Sequence, residues 1–191
     1  MTLIVIVLAV IAVFVLGVIG FLISLYNGLQ KSKLNAENSW SDIDVQLKRR
    51  HDLIPNLVNT VKGYASHEKE TFEAVTSARS AAAGANGVAA QAGAENMLTQ
   101  ALGRMFAVAE AYPDLKANQN FIQLQEELTS TENKIGFARQ HYNRTVNQFN
   151  EKTKTFPSNI VAGMFGFSDM NFFELDEAEA AAVKAAPKVE F

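Results

Sequence analysis

Side chains able to do chemistry are few, and their spacing fits no catalytic or metal-binding pattern. The histidines are His51, His67 and His141. A carboxylate-bridged metal site in a helical bundle places Glu three residues before His on one helix face. Here those positions hold Lys48, Tyr64 and Ala138. His67-Glu68 opens no H-E-x-x-H zinc motif, because the fourth residue on is Thr71. Hydrogen bonding, at the surface or between helices, is the role expected of the histidines. There is no cysteine, which removes thiol nucleophiles, thiolate ligands, disulfides and lipid attachment through sulfur. Neither G-x-S-x-G nor a Gly-rich phosphate loop occurs. Glu126 and Glu127 are adjacent, so on a helix they point in different directions and make no carboxylate pair. The sequence therefore predicts no enzyme, no metal and no cofactor.

Polar residues that fall on apolar seams say more. Arg50 sits at a core-spaced position, followed by Asn56; Glu110, Glu127, Asn133, Arg139 and Asn143 stand near other seams. A buried ionic group needs a partner, and one placed on a seam can fix register. The first expectation is a structural network of Arg50, Glu110, Glu127 and Arg139. The second is a docking site around Arg49, Arg50, Asp52 and Asn56.

The elements that must position these residues are helices. No stretch alternates apolar and polar residues long enough for a strand. From Leu3 to Leu25 run 23 residues without charge. As a helix this run is about 35 Å long, enough to cross a ~30 Å hydrocarbon core. Tyr26 ends it, where an amphipathic ring suits the headgroup layer. A cleaved signal peptide would begin with a basic region and end on small residues, and this run does neither. Lys31, Lys33, Lys48, Arg49 and Arg50 all follow it. That bias predicts a single-pass membrane protein, its N-terminus outside and its C-terminal domain in the cytoplasm. The net charge of −3 and pI near 5.6 argue against a nucleic-acid partner.

Beyond the anchor (1–27), a helical domain is expected over 28–156. Its first helix continues the anchor to about Tyr64 on the spacing Trp40, Ile43, Leu47, Arg50, Ile54, Leu57, Val61. Pro55 predicts a kink near His51. Ser66 is the expected N-cap of a second helix carrying Phe72 and Val75. Gly84-Ala85-Asn86-Gly87 breaks it, and a third helix carries Leu98, Leu102, Met105 and Ala109, ending at Pro113. In the fourth, Phe121, Leu128, Ile135, Tyr142, Phe149 and Phe156 recur every seven residues, a sustained seam. An aromatic-rich segment (157–175) and an acidic, Ala-rich tail (176–191) follow.

The stretches SWSDIDVQLKRRHDLIPNLVNTVKGYASHE (39–68), ALGRMFAVAEAYPDLKANQNFIQLQEELTSTENKIGFARQHYN (101–143) and FPSNIVAGMFGF (156–167) resemble the LemA family. With the preceding apolar helix the resemblance spans essentially the whole chain. It implies a bacterial or archaeal single-span membrane protein with a helical up-and-down bundle. Among relatives, one is implicated in building magnetosome membranes, and others are encoded near membrane proteases or envelope-maintenance proteins. Some members are lipoproteins that follow a cysteine, which this chain lacks.

The expected architecture is thus all-α: a transmembrane helix continuous with a long-helix, antiparallel, up-and-down four-helix bundle. Four passes return the chain to the membrane after Phe156; three passes, if Gly84–Gly87 only bends a helix, would not. Long first and fourth helices against two short ones leave a stem whose Trp40, Tyr142, Val146, Phe149 and Phe156 need cover from a neighbouring protomer, making a homo-oligomer. Phe165, Phe167, Phe172 and Phe173 are expected near the membrane, either capping the bundle or entering lipid. Two functions fit: a non-catalytic scaffold organising the bilayer or other membrane proteins, proteases among them, or a signalling adaptor binding a peptide or small ligand in the bundle.

Overall fold

The computed structural model describes residues 1–174, so the predicted tail from 176 lies outside the described residues. Six helices and no strand occur among them: α1 Thr2–Lys62, α2 Lys69–Ala83, α3 Val88–Glu110, α4 Pro113–Lys116, α5 Gln119–Lys154 and α6 Ser158–Phe165. The anchor and the first soluble helix are one 61-residue helix. Residues 1–24 are exposed along its whole apolar start, a surface that water would not tolerate and lipid would. The chain has the length, composition and surface of a single-pass membrane anchor.

Among the described residues the chain forms two compact units, Met1–Ser39 with Asn143–Met170, and Trp40–Tyr142 with 171–174. In the second unit, Ile54, Leu57 and Val61 of α1 meet Phe72, Val75 and Ala82 of α2 and Leu98, Leu102 and Met105 of α3. Leu115 of α4 and Phe121 and Leu128 of α5 close the same core. The 3-4 spacing produces this directly, since residues three and four apart share a helix face. In the first unit, Leu29 is buried with Val161 and Ala162 of α6.

Several boundaries differ from the sequence reading. The α1 seam begins at Leu29 and passes through Ser32, Ala36 and Ser39, all buried, whereas Trp40 is only half-buried beside it. Small residues look like a gap in an apolar pattern, yet Ser39 satisfies its hydroxyl within the helix by donating to Asn35 O at 2.8 Å. Tyr64 lies past the end of α1 and is exposed. Glu68, not Ser66, occupies the N-cap position of α2, without a side-chain cap. The turn before α3 holds Gly87 at φ +84°, a conformation glycine adopts without steric cost. Pro113 both follows α3 and opens α4, since a missing N–H costs nothing at a first helical position.

The stem requires a larger correction. Tyr142, Val146 and Phe149 are fully buried within one chain, so no neighbouring protomer is needed to cover them. Only Phe156 of the predicted set is open, at 80% exposure. The cover comes from the residues after α6. Phe167 stands edge-on to Phe149 at 6.3 Å. In the other unit, Phe173 packs on Trp40, and Trp40 on Tyr142, each at 5.4 Å. Counting helices leaves out the non-helical segment after α6, whose Phe167 and Phe173 cover this aromatic surface.

Candidate functional site

The polar core of the second unit starts at one turn of α1. Arg50 and His51 lie three and four residues after Leu47 and before Ile54, so both side chains enter the helix-facing side. Arg50 is 5% exposed and Glu95 of α3 equally so. Its guanidinium donates from Nη1 to Glu95 Oε2 at 3.2 Å and from Nη2 to Thr99 Oγ1 at 2.8 Å. The same Nη2 lies 3.2 Å from Glu132 Oε2 on α5. His51 Nε2 meets Glu95 Oε1 at 2.7 Å, and Gln91 Nε2 donates to that oxygen at 2.9 Å. Arg, His and Gln thus converge on one carboxylate, which leaves Glu95 little room to accept a further ligand.

The backbone takes part as well. Pro55 has no N–H, so the carbonyl of His51 loses its donor within the helix. Arg79 of α2 supplies one, its Nε donating to His51 O at 2.7 Å. The helix assignment runs through Pro55 without interruption. One turn of α1 is therefore tied to α2 through Arg79, to α3 through Glu95 and Thr99, and to α5 through Glu132.

Of the predicted network only Arg50 belongs to this cluster. Arg49 and Glu127 form a separate surface pair at 3.9 Å, the exposed kind that contributes at most about 1 kcal/mol. Glu110 is exposed and Arg139 half-buried, and Asp52 and Asn56 of the docking alternative face solvent. Long side chains placed near seams were grouped by proximity in pattern alone, which does not say which helix faces which. Glu95, the partner that was missed, was legible: stepping back three residues from Leu98, Leu102 and Met105 lands on it. The Ala- and Gly-rich run before it hid where α3 begins. His51 is the interhelical hydrogen-bonding histidine that the sequence led one to expect.

The predicted membrane-proximal aromatics separate into three environments. Phe173 is buried on Trp40, so it does not reach lipid, and Phe172 is half-buried. Phe167 is half-buried against Tyr26 at 5.7 Å and Phe149 at 6.3 Å. Phe165, 4.8 Å from Tyr26, keeps 59% of its surface exposed. Two backbone-directed contacts hold this C-terminal segment. In the first unit the Asn150 amide both donates to Met170 O and accepts from Met170 N, each at 2.9 Å. In the second, Tyr142 Oη donates to Asn171 O at 2.9 Å. Burial raises the Tyr142 phenol above its ordinary pKa of 10.0.

Among the described residues no cluster of histidine and carboxylate side chains has the grouping of a metal site. Arg50, His51, Gln91, Glu95 and Thr99 are engaged with one another, an arrangement that fixes helices.

Comparison with known proteins places the chain in a family. Residues 39–191 match the model of the LemA family. Protein LemA of Metamycoplasma hominis is 27% identical over 158 residues, covering 82% of this chain and 72% of the relative. Magnetosome protein MamQ 2 of Paramagnetospirillum magneticum is 25% identical, over 87% of this chain and 72% of its own. For Magnetosome protein MamQ of Magnetospirillum gryphiswaldense the identity is 24%, over 85% and 70%. None of these names carries an enzymatic activity. With a family match over residues 39–191, well over half of its length, the chain belongs to the LemA family.

Proposed function

We propose that this protein is a non-catalytic, membrane-anchored helical scaffold that self-assembles and organises the bilayer or other membrane proteins. The observation that carries the reading is α1 itself. An exposed apolar helix continues unbroken into a packed helical core whose buried charges are engaged with one another. Relatives named for the magnetosome support an organising role. In this reading the long helices run up and down as a four-pass bundle. The Lys31, Lys33 and Lys48–Arg50 bias sets the N-terminus outside and the bundle in the cytoplasm.

The contact surface for assembly must lie away from Tyr142, Val146 and Phe149, which are already buried. On the outer stripe of α5, Phe137 is 71% and Ile122 40% exposed, and we assign the contact to them. The full chain, extracted in mild detergent and sized by sedimentation, should run as an oligomer. Phe137→Glu should reduce it to a monomer with an unchanged melting temperature. A wild-type monomer would overturn the proposal.

The adaptor reading keeps one observation in its favour. A cleft of about 320 Å³ opens beside Arg50, Thr99, Phe106 and Glu132. A ligand there would raise the melting temperature with concentration, and it would do so without any change in assembly size.

A further inference from the structure

We infer that α6 is an interfacial helix whose outer face is immersed in the headgroup–acyl boundary of the bilayer that α1 crosses. The inference rests on the membrane-anchor reading of α1. The inner face of α6, Val161 and Ala162, is buried with Leu29 of α1, and Leu25, Tyr26 and Phe167 pack around them. Leu25 and Tyr26 are the last residues of an apolar run about 35 Å long, slightly more than the ~30 Å hydrocarbon core. Tyr26 therefore stands at the edge of the hydrocarbon, and Phe165, with ring centroid 4.8 Å away, stands at the same level.

What α6 turns outward is apolar. Ile160 is 53% and Met164 69% exposed, one helical turn apart, with Phe165 next to them. Phe156, in the turn before α6, is exposed as well. No charge occurs from Phe156 to Ser168. The two nearest charges, Lys154 and Asp169, close on each other at 2.6 Å, so the segment enters the boundary with its flanking charges already paired. Gly166 at φ +72° ends the helix and lets Phe167 turn back onto Tyr26 while Phe165 stays out. Interfacial helices often carry Lys or Arg for anionic headgroups. This one does not, so a zwitterionic bilayer should suffice.

The absence of native cysteine allows single-cysteine variants of the full chain, labelled with a small polarity-sensitive fluorophore in phosphatidylcholine nanodiscs. Ile160→Cys and Met164→Cys test α6, Val10→Cys reports the span, and Glu126→Cys reports water. The expected result is loss of fluorescence to shallow spin-labelled lipid, with blue-shifted emission, at 160, 164 and 10 but not at 126. If 160 and 164 behave like 126, quenched by aqueous iodide alone, the inference fails and the anchor stands. Protection from both quenchers would put protein on this face and overturn it equally. A label at 10 that lipid cannot quench would refute the anchor and the inference together.

Discussion

At the residue scale the informative group is Glu95. It is 5% exposed and accepts from Arg50, His51 and Gln91, so removing it strands buried donors. Glu95→Ala should destabilise the protein by about 3 kcal/mol, the lower end for breaking a buried pair, because Thr99 and Glu132 still hold Arg50. Replacing the carboxylate together with its two buried donors, Arg50→Met and His51→Leu with Glu95→Leu, should cost less than Glu95→Ala alone. Urea unfolding in detergent micelles followed by circular dichroism reads both. A triple variant less stable than the single would show that the network itself, and not the avoided orphans, supplies the stability. The sequence disclosed half of this cluster. Arg50 announced itself as a charge on an apolar seam, and Glu95 obeyed the same spacing on α3. What no single-chain pattern carries is the rotational facing of two helices, and so Glu110 and Arg139 looked equally eligible.

At the scale of elements, the segment after α6 does work that the helix count had given to another protomer. It is fastened through backbone atoms: Tyr142 donates to Asn171 O, and its ring lies against Trp40. Burial favours the neutral phenol, so the folded-state pKa is above 10.0. The stability that follows is complete below the unfolded pKa and is lost as pH rises through the folded one. Melting temperature should therefore fall on the alkaline side of pH ~10. Tyr142→Phe should lose about 1 kcal/mol at neutral pH, one hydrogen bond's worth, and flatten that alkaline limb. A limb equally steep in the Phe variant would assign it to other groups. Helices with sustained 3-4 or seven-residue spacing were readable to within a few residues. The segment after α6 was not, because it is held by main-chain acceptors and a few isolated aromatics, which leave no period in the sequence.

For the whole molecule the first question is which side of the membrane holds the helical core. Six Lys and Arg residues follow the apolar run within α1, and none precedes it, which favours a cytoplasmic C-terminal side. A reporter active only in the cytoplasm, fused after Phe191, should be active. Activity of an exported reporter at the same site would reverse the orientation. The anchor was the most legible feature of the chain, since length and absence of charge suffice to define it. The exposed apolar surface was the least legible, because whether an apolar side chain is open depends on every segment that could fold over it, as Phe149 and Phe137 show in opposite ways.

The proline turn of α1 bears on how such a chain comes together. A carbonyl inside a helix is ordinarily satisfied by its own helix, four residues on, as soon as that turn forms. At His51 that local donor is missing, and the bond is made by Arg79, 28 residues away in sequence. The turn is therefore complete only after α2 has docked. In the same turn the His51 ring is held by Glu95, so it also registers the arrival of α3. A helix-breaking residue, costing about 3 kcal/mol in an isolated helix interior, here converts private stability into shared stability. The docking of α2 and α3 on α1 is thereby coupled, so that the three helices form, and melt, as one cooperative unit.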